Sequence, residues 1–295
     1  MLIFLCLANN ESGLMKNYLT TGILTLLFSA PVVIAAPTDF CPAGGQCTLV
    51  WEMKDSAPPS YDGHGLSWIV CNPTESIQFG NQTLVVKYQH NPGDIEQTCY
   101  ARYDLSSYFK QTHLTSHGYL TATITISGTQ DKNFLDRIWP ALWVRGVGAW
   151  PVNGEIDMFE YMGSVQEHRT HVNLHGAPVA NQDYPKSEVV TYNKAKALED
   201  IGQTHTYGME WKKDQANGYM LTFYIDNVIQ GNYYASPASS DLLDAAIIRG
   251  FTAGMQLVFD IDDVGSNGAN IDIVKKLPTL NYQLEATNVK LFSVK

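Results

Sequence analysis

The sequence predicts an all-β protein, two antiparallel sheets packed face to face, on three observations. Runs rich in β-branched and aromatic residues, with partial period-two alternation, recur from residue 83 to the C-terminus. Turn chemistry separates them, most plainly Asp226-Asn227 between Phe223-Tyr224-Ile225 and Val228-Ile229. Helical periodicity is scarce, and there is no internal repeat, low-complexity linker or charge block to mark a second domain.

In chain order, Thr83 to Tyr88 and Tyr119 to Ser127 read as strands because their apolar residues alternate with polar ones. Residues 155 to 160, Glu-Ile-Asp-Met-Phe-Glu, form a third. Lys194 to Asp200 and Asp241 to Ile248 have enough helical spacing for short helices. Gly218 to Ile225 is the first arm of the Asp226-Asn227 hairpin, and Thr287 to Val294 closes the chain as a strand.

The strand at 155 carries the chemistry. Successive side chains of a strand point to opposite faces, so Glu155 and Asp157 share one face with Ile156 behind it. Strict alternation puts Glu160 on the other face. The extra residue in Met158-Phe159 predicts a β-bulge, which shifts the phase and returns Glu160 to the acidic side. Three like charges on one short strand repel, so a chemical role explains them better than a structural one; a solvated acidic edge strand is the plainer alternative. Glycoside hydrolysis uses two nearby carboxyls, one acting at the anomeric carbon and one, with a raised pKa, protonating the departing oxygen. A third between them holds the first in place and couples their titrations. Trp139, Trp143, Trp150 and Tyr161 flank the trio and supply flat surfaces on which sugar rings stack, although any one of them could equally pack in the core.

The segment Trp139 to Gly163, WPALWVRGVGAWPVNGEIDMFEYMG, resembles the active-site segment of glycoside hydrolase family 16, in the bulged-strand branch that contains laminarinases, endo-β-1,3-glucanases. Weaker similarity runs through Tyr119 to Ile126, His171 to Gly176, His205 to Trp211, Phe223 to Asp226 and Ala286 to Val294. The resemblance implies a concanavalin-like jelly roll with substrate lying across a concave sheet. It implies Glu155 as nucleophile, Asp157 as assisting carboxylate, Glu160 as general acid/base, and His175 on the neighbouring strand facing the cleft. It implies a retaining reaction on a neutral β-glucan with no cofactor needed for the chemistry. Related possibilities are transglycosylation, an agarase-like galactan hydrolase, or a non-catalytic β-glucan-binding protein on the same fold. The chain departs from the family where Thr121 and Thr123 replace the usual Glu and Arg, and around Asp260.

Asp260, Asp262, Asp263, Gly265 and Asn267 imitate the start of a calcium loop, but the twelfth position is Ile271 rather than Glu, which excludes an EF-hand. A polar loop at the cleft rim is the expectation for this stretch, and a structural calcium elsewhere is allowed by family analogy without being placed.

Length, charge and cysteines bound the rest. Residues 1–35 read as a secretory signal region, with the working start at Met15, Lys16 before an apolar run, and Val33 and Ala35 suiting cleavage after Ala35. Residues 36–295 then form a single catalytic domain, exported, free of the membrane after cleavage and expected to be a monomer. The net charge of −10 argues against nucleic acid, anionic membrane and strongly anionic polysaccharide as partners. Four cysteines, Cys41, Cys47, Cys71 and Cys99, precede residue 100, an even number that suits two disulfides in an exported chain. Three connectivities are open; Cys41–Cys47 with Cys71–Cys99 is the favoured one because the first closes a small Gly-Gly loop. No Cys-x-x-Cys spacing supports zinc instead.

Overall fold

The computed structural model describes residues 40–42, 45–53, 77–90, 99–128, 138–163, 170–180, 182, 186–191, 202–263 and 280–295, all within the compact unit Ala36–Lys295. Two antiparallel sheets carry the molecule. The strands are β1 Cys47–Glu52, β2 Ile77–Gly80, β3 Thr83–His90, β4 Cys99–Asp104, β5 His117–Gly128, β6 Ile138–Gly146 and β7 Glu155–Tyr161. They continue with β8 Thr170–His175, β9 Lys186–Thr191, β10 Thr204–Lys213, β11 Tyr219–Ile225, β12 Val228–Ala235, β13 Met255–Asp263 and β14 Leu280–Val294.

The larger sheet runs β12-β11-β10-β5-β14-β3-β2, with β1 beside the far end of β14. The long β14 serves two partners along one edge, β3 through Leu280–Thr287 and β1 through Lys290–Val294. The smaller sheet runs β4-β13-β6-β7-β8-β9. Alternation explains how they pack. Leu120, Ala122, Ile124 and Ile126 of β5 enter one apolar core with Leu142, Val144, Ile156, Val172, Leu174, Leu257 and Phe259 of the smaller sheet. Asp226 and Asn227, with φ of 49° and 69°, close the β11–β12 hairpin as the sequence predicts.

The predicted helix at Asp241 forms and runs further, over Leu242–Ala253. Asp241 caps it by accepting from the Leu243 amide at 3.0 Å. Leu243, Ala246, Ile247 and Gly250 recur at helical spacing and are buried. Gly254, at φ 95°, ends it. Two short helices, Ser106–Phe109 and Thr112–Ser116, connect β4 to β5. Among the described residues no helix is long and apolar enough to cross a membrane.

Two expectations are corrected. Asp260, Asp262 and Asp263 lie in β13 rather than in a rim loop, because Phe259 and Ile261 alternate into the core and hold the stretch extended. Tyr161, expected at the substrate surface, is fully buried in the main core. It follows Glu160 directly, so the phase that turns Glu160 outward turns Tyr161 inward. Cys41 and Cys47 are joined, with Sγ–Sγ 2.04 Å. Cys71, the signal region and the helix proposed at 194–200 lie outside the described residues, as does the Cys99 side chain.

Candidate active site

The site lies on the face of the smaller sheet turned away from the core. Register places residues in rows across it. Tyr100, Asp260, Ala141, Glu160 and His171 form one row. Arg102, Val258, Trp143, Asp157 and Asn173 form the next, and Asp104, Gln256, Arg145, Glu155 and His175 the third. Cross-strand partners share a face, so all three acids of β7 point the same way.

The predicted bulge is what makes this so. Against β6, Phe159 pairs with Leu142 and Asp157 with Trp143, leaving Met158 without an opposite residue. Against β8, Asp157 pairs with Asn173 and Glu160 with His171, so two residues of β7 face Val172 alone. Met158 and Phe159 are consecutive, yet both are buried in the core. An unbroken strand cannot do that.

Each outer glutamate has its own indole. Trp139 Nε1 donates to Glu160 Oε1 at 2.6 Å, and Trp150 Nε1 donates to Glu155 Oε2 at 2.9 Å. Asn173 Nδ2 donates to the other oxygen of Glu160. His175 Nε2 lies 3.3 Å from Asp157 Oδ2 and 3.9 Å from Glu155 Oε1. Glu160 is held from both sides, by Asn173 from the row of Asp157 and by Trp139 from the row beyond. Asn173 stands opposite Asp157, one row from Glu160, and His175 reaches from the row of Glu155 toward Asp157. Asp157 is the centre on which the set converges.

The loop that carries Trp150 is fixed from below. Arg249 of the helix donates through Nε and Nη2 to the Val152 carbonyl at 3.0 and 2.7 Å, and through Nη2 to the Ala177 carbonyl at 3.1 Å. Gly154, at φ 69°, precedes the first acid where a Cβ would come within 2.9 Å of the helix backbone at Ala246. Helix, loop and acid strand are therefore one packed unit.

Burial raises both outer acids. Glu155 is pushed up to about 8 by desolvation and then by the Asp157 charge, with His175 and the Trp150 N–H holding it down. Glu160 is pushed up to about 7 by desolvation and Asp157, with His175, Asn173 and Trp139 opposing. Both outer glutamates thus hold their protons more tightly than an exposed glutamate does. His175 opposes the rise at both outer acids.

Of the sequence-predicted residues, Glu155, Asp157, Glu160, Trp139, Trp150 and His175 are brought together. Trp143 shares their face but is buried, packed with Ala141, Val258 and Tyr100, its ring 6.2 Å from that of Tyr100. Asn173 and Arg249 were not anticipated. The alternation His171-x-Asn173-x-His175 is the signal that would have found Asn173, because three polar residues at period two mark the functional face of β8. Arg249 has no local signal, since it acts on backbone carbonyls far away in sequence.

Among the described residues one group could hold a cation. Ligand atoms of Glu155, Asp157 and His175 all lie within 4.8 Å of one another. The same proximity is what a carboxylate and its two tuning neighbours require, so the cluster by itself assigns no metal.

Residues 110–244, which contain the acid strand, match the family model for the XgeA-like catalytic GH16 domain. A beta-1,3-glucan-binding protein of Penaeus monodon is 27% identical over 106 residues, covering 32% of this chain and 27% of that protein. A glucan endo-1,3-beta-glucosidase of Cryptopygus antarcticus is 31% identical over 81 residues, covering 26% of this chain and 28% of that protein. The match thus spans about a quarter of either curated relative. An endo-1,3-beta-glucanase from Streptomyces sioyaensis superposes with a TM-score of 0.54 over 85% of this chain and 99% of its own, at 16% identity, which shows a shared sandwich fold. The family model lies across the bulged acid strand, and a sandwich fold shared with that glucanase surrounds it, so residues 110–244 are similar to the catalytic domain of glycoside hydrolase family 16.

Proposed function

We propose that the protein is an exported, retaining endo-glycoside hydrolase that cuts a neutral β-1,3-glucan of laminarin type, or a mixed-linkage relative. The carrying observation is that Glu155, Asp157 and Glu160 share one face, the outer two each gripped by its own indole. In the first step the Glu155 carboxylate bonds to the anomeric carbon, the glycosidic C–O bond breaks, and the Glu160 proton passes to the leaving oxygen. In the second, water attacks the same carbon, its proton goes to Glu160, and the ester bond to Glu155 breaks. Asp157 with His175 orients Glu155 throughout. Both acids rise from one strand and share its outer face across the bulge, which favours the short spacing of about 5–5.5 Å typical of retention. The apolar N-terminal run supports export, and the acidic net charge favours a neutral polymer.

One curated relative is named for binding β-1,3-glucan and the other for hydrolysing it. Retention of the whole acid trio favours hydrolysis, because a binder has no use for two buried glutamates with raised pKa values. Reducing-sugar release from laminarin, compared with mixed-linkage β-glucan and agarose, tests the reading. Laminarin is expected to be cut, with Glu155→Gln and Glu160→Gln inactive yet folded and still binding it. Binding without turnover by the unaltered protein would make it a glucan-binding protein, and preference for agarose would make it a galactanase. NMR of the first product is expected to show the retained anomer.

A further inference from the structure

We propose that Asn173 is a positioning residue that follows the proton on Glu160, its side-chain amide donating to the carboxylate and, turned over, accepting from the acid. The inference rests on the double-displacement reading and deepens it. Asn173 is buried in β8, and its Nδ2 donates to Glu160 Oε2 while Trp139 Nε1 donates to Oε1. Both oxygens of Glu160 are thus met by donors, an arrangement suited to the ionised group.

Double displacement needs Glu160 in both forms: acid when the leaving oxygen takes its proton, carboxylate when water returns one. An indole N–H can only donate. The amide can do both, because a half-turn exchanges Nδ2 for Oδ1 at the same place. The charged or titratable groups facing this spot are Asp157 and Glu155 on the same strand, His171 and His175 on β8, and Asp260 across Ala141. Among the two partners hydrogen-bonded to Glu160, Asn173 alone can change role when the proton leaves.

The same amide also explains why a buried glutamate can work near neutrality. Burial and Asp157 raise Glu160, and the Asn173 donor is one of the contacts that hold it down, near 7. Without it the acid would keep its proton too tightly to act as base in the second step.

The test is a pair of variants of equal shape in the full chain, Asn173→Thr and Asn173→Val, assayed on laminarin across pH with far-UV circular dichroism as the folding control. The Thr hydroxyl donates and accepts; the Val methyl does neither. The basic limb of kcat/KM is expected to move up by about one pH unit in the Val variant and to stay near its original position in the Thr variant. The kcat is expected to fall about tenfold or more in Val, with KM little changed. Equal limbs for Thr and Val would overturn the proposal, because a packing role depends only on shape. If the Val variant does not fold, Asn173→Ala takes its place with the same expected shift. Failure of the underlying reading looks different: Glu160→Gln would then remain active on laminarin.

Discussion

Glu155→Gln should stabilise the protein at alkaline pH while abolishing its chemistry. Glu155 rises from 4.5 to about 8 in the folded chain, chiefly through burial. Below pH 4.5 the group is protonated whether the chain is folded or not, so it contributes no difference. Between 4.5 and about 8 the native state keeps a proton that the unfolded chain releases, so native stability falls as pH rises. At ~1.36 kcal/mol per pH unit the full window is worth up to ~5 kcal/mol. Sharing of the charge with Asp157, Glu160 and His175 reduces this to ~2–4 kcal/mol. Glutamine keeps the volume and can still accept from Trp150 Nε1, while its amide can donate toward Asp157.

Urea unfolding followed by far-UV circular dichroism at pH 4.5, 6 and 8 reads the effect. The variant should match the parent within ~1 kcal/mol at pH 4.5 and exceed it by ~2–4 kcal/mol at pH 8. With a slope of ~3 kcal/mol per molar urea, the midpoint would rise by ~1 M at unchanged slope. Parallel stability curves for parent and variant, or a less stable variant at pH 8, would refute the reasoning. Either outcome would mean that Glu155 is no costlier to ionise in the fold than in the open chain.

Two further outcomes test the supports of the site. Trp150→Phe keeps an aromatic ring but removes the N–H that donates to Glu155, making that acid harder to ionise. The acidic limb of kcat/KM should move up by about one pH unit, and an unmoved limb would separate Trp150 from Glu155 as the proposed nucleophile. Gly154→Ala demands φ 69° of a residue with a Cβ and drives that atom to 2.9 Å from the helix backbone. It should cost ~2–4 kcal/mol by urea unfolding, and a loss below ~1 kcal/mol would show that the helix and the acid strand are not packed as one unit.

Much of this molecule was legible in its residues because the signals are local. Period-two alternation marked the strands around Thr83, Tyr119, Gly218 and Thr287, and Asp226-Asn227 marked the hairpin. The one-residue excess in Met158-Phe159 announced a bulge, since phase along a strand is a property of that strand alone. The helical spacing from Asp241 to Ile248 marked the helix, which the structure extends over Leu242–Ala253. These features need no partner to be read.

What the tertiary structure decided depends on which strands meet. Tyr161 belongs to the core because the opposing sheet covers its face, and Asp260 lies in β13 because Phe259 and Ile261 have a core to enter. Asn173 holds Glu160 only because β8 pairs with β7 in one register, and a slip by one residue would turn it inward. Arg249 steadies the Trp150 loop across 97 residues of sequence. The local pattern fixed which side chains share a face; folding chose their neighbours, and burial among those neighbours raises the two outer glutamates.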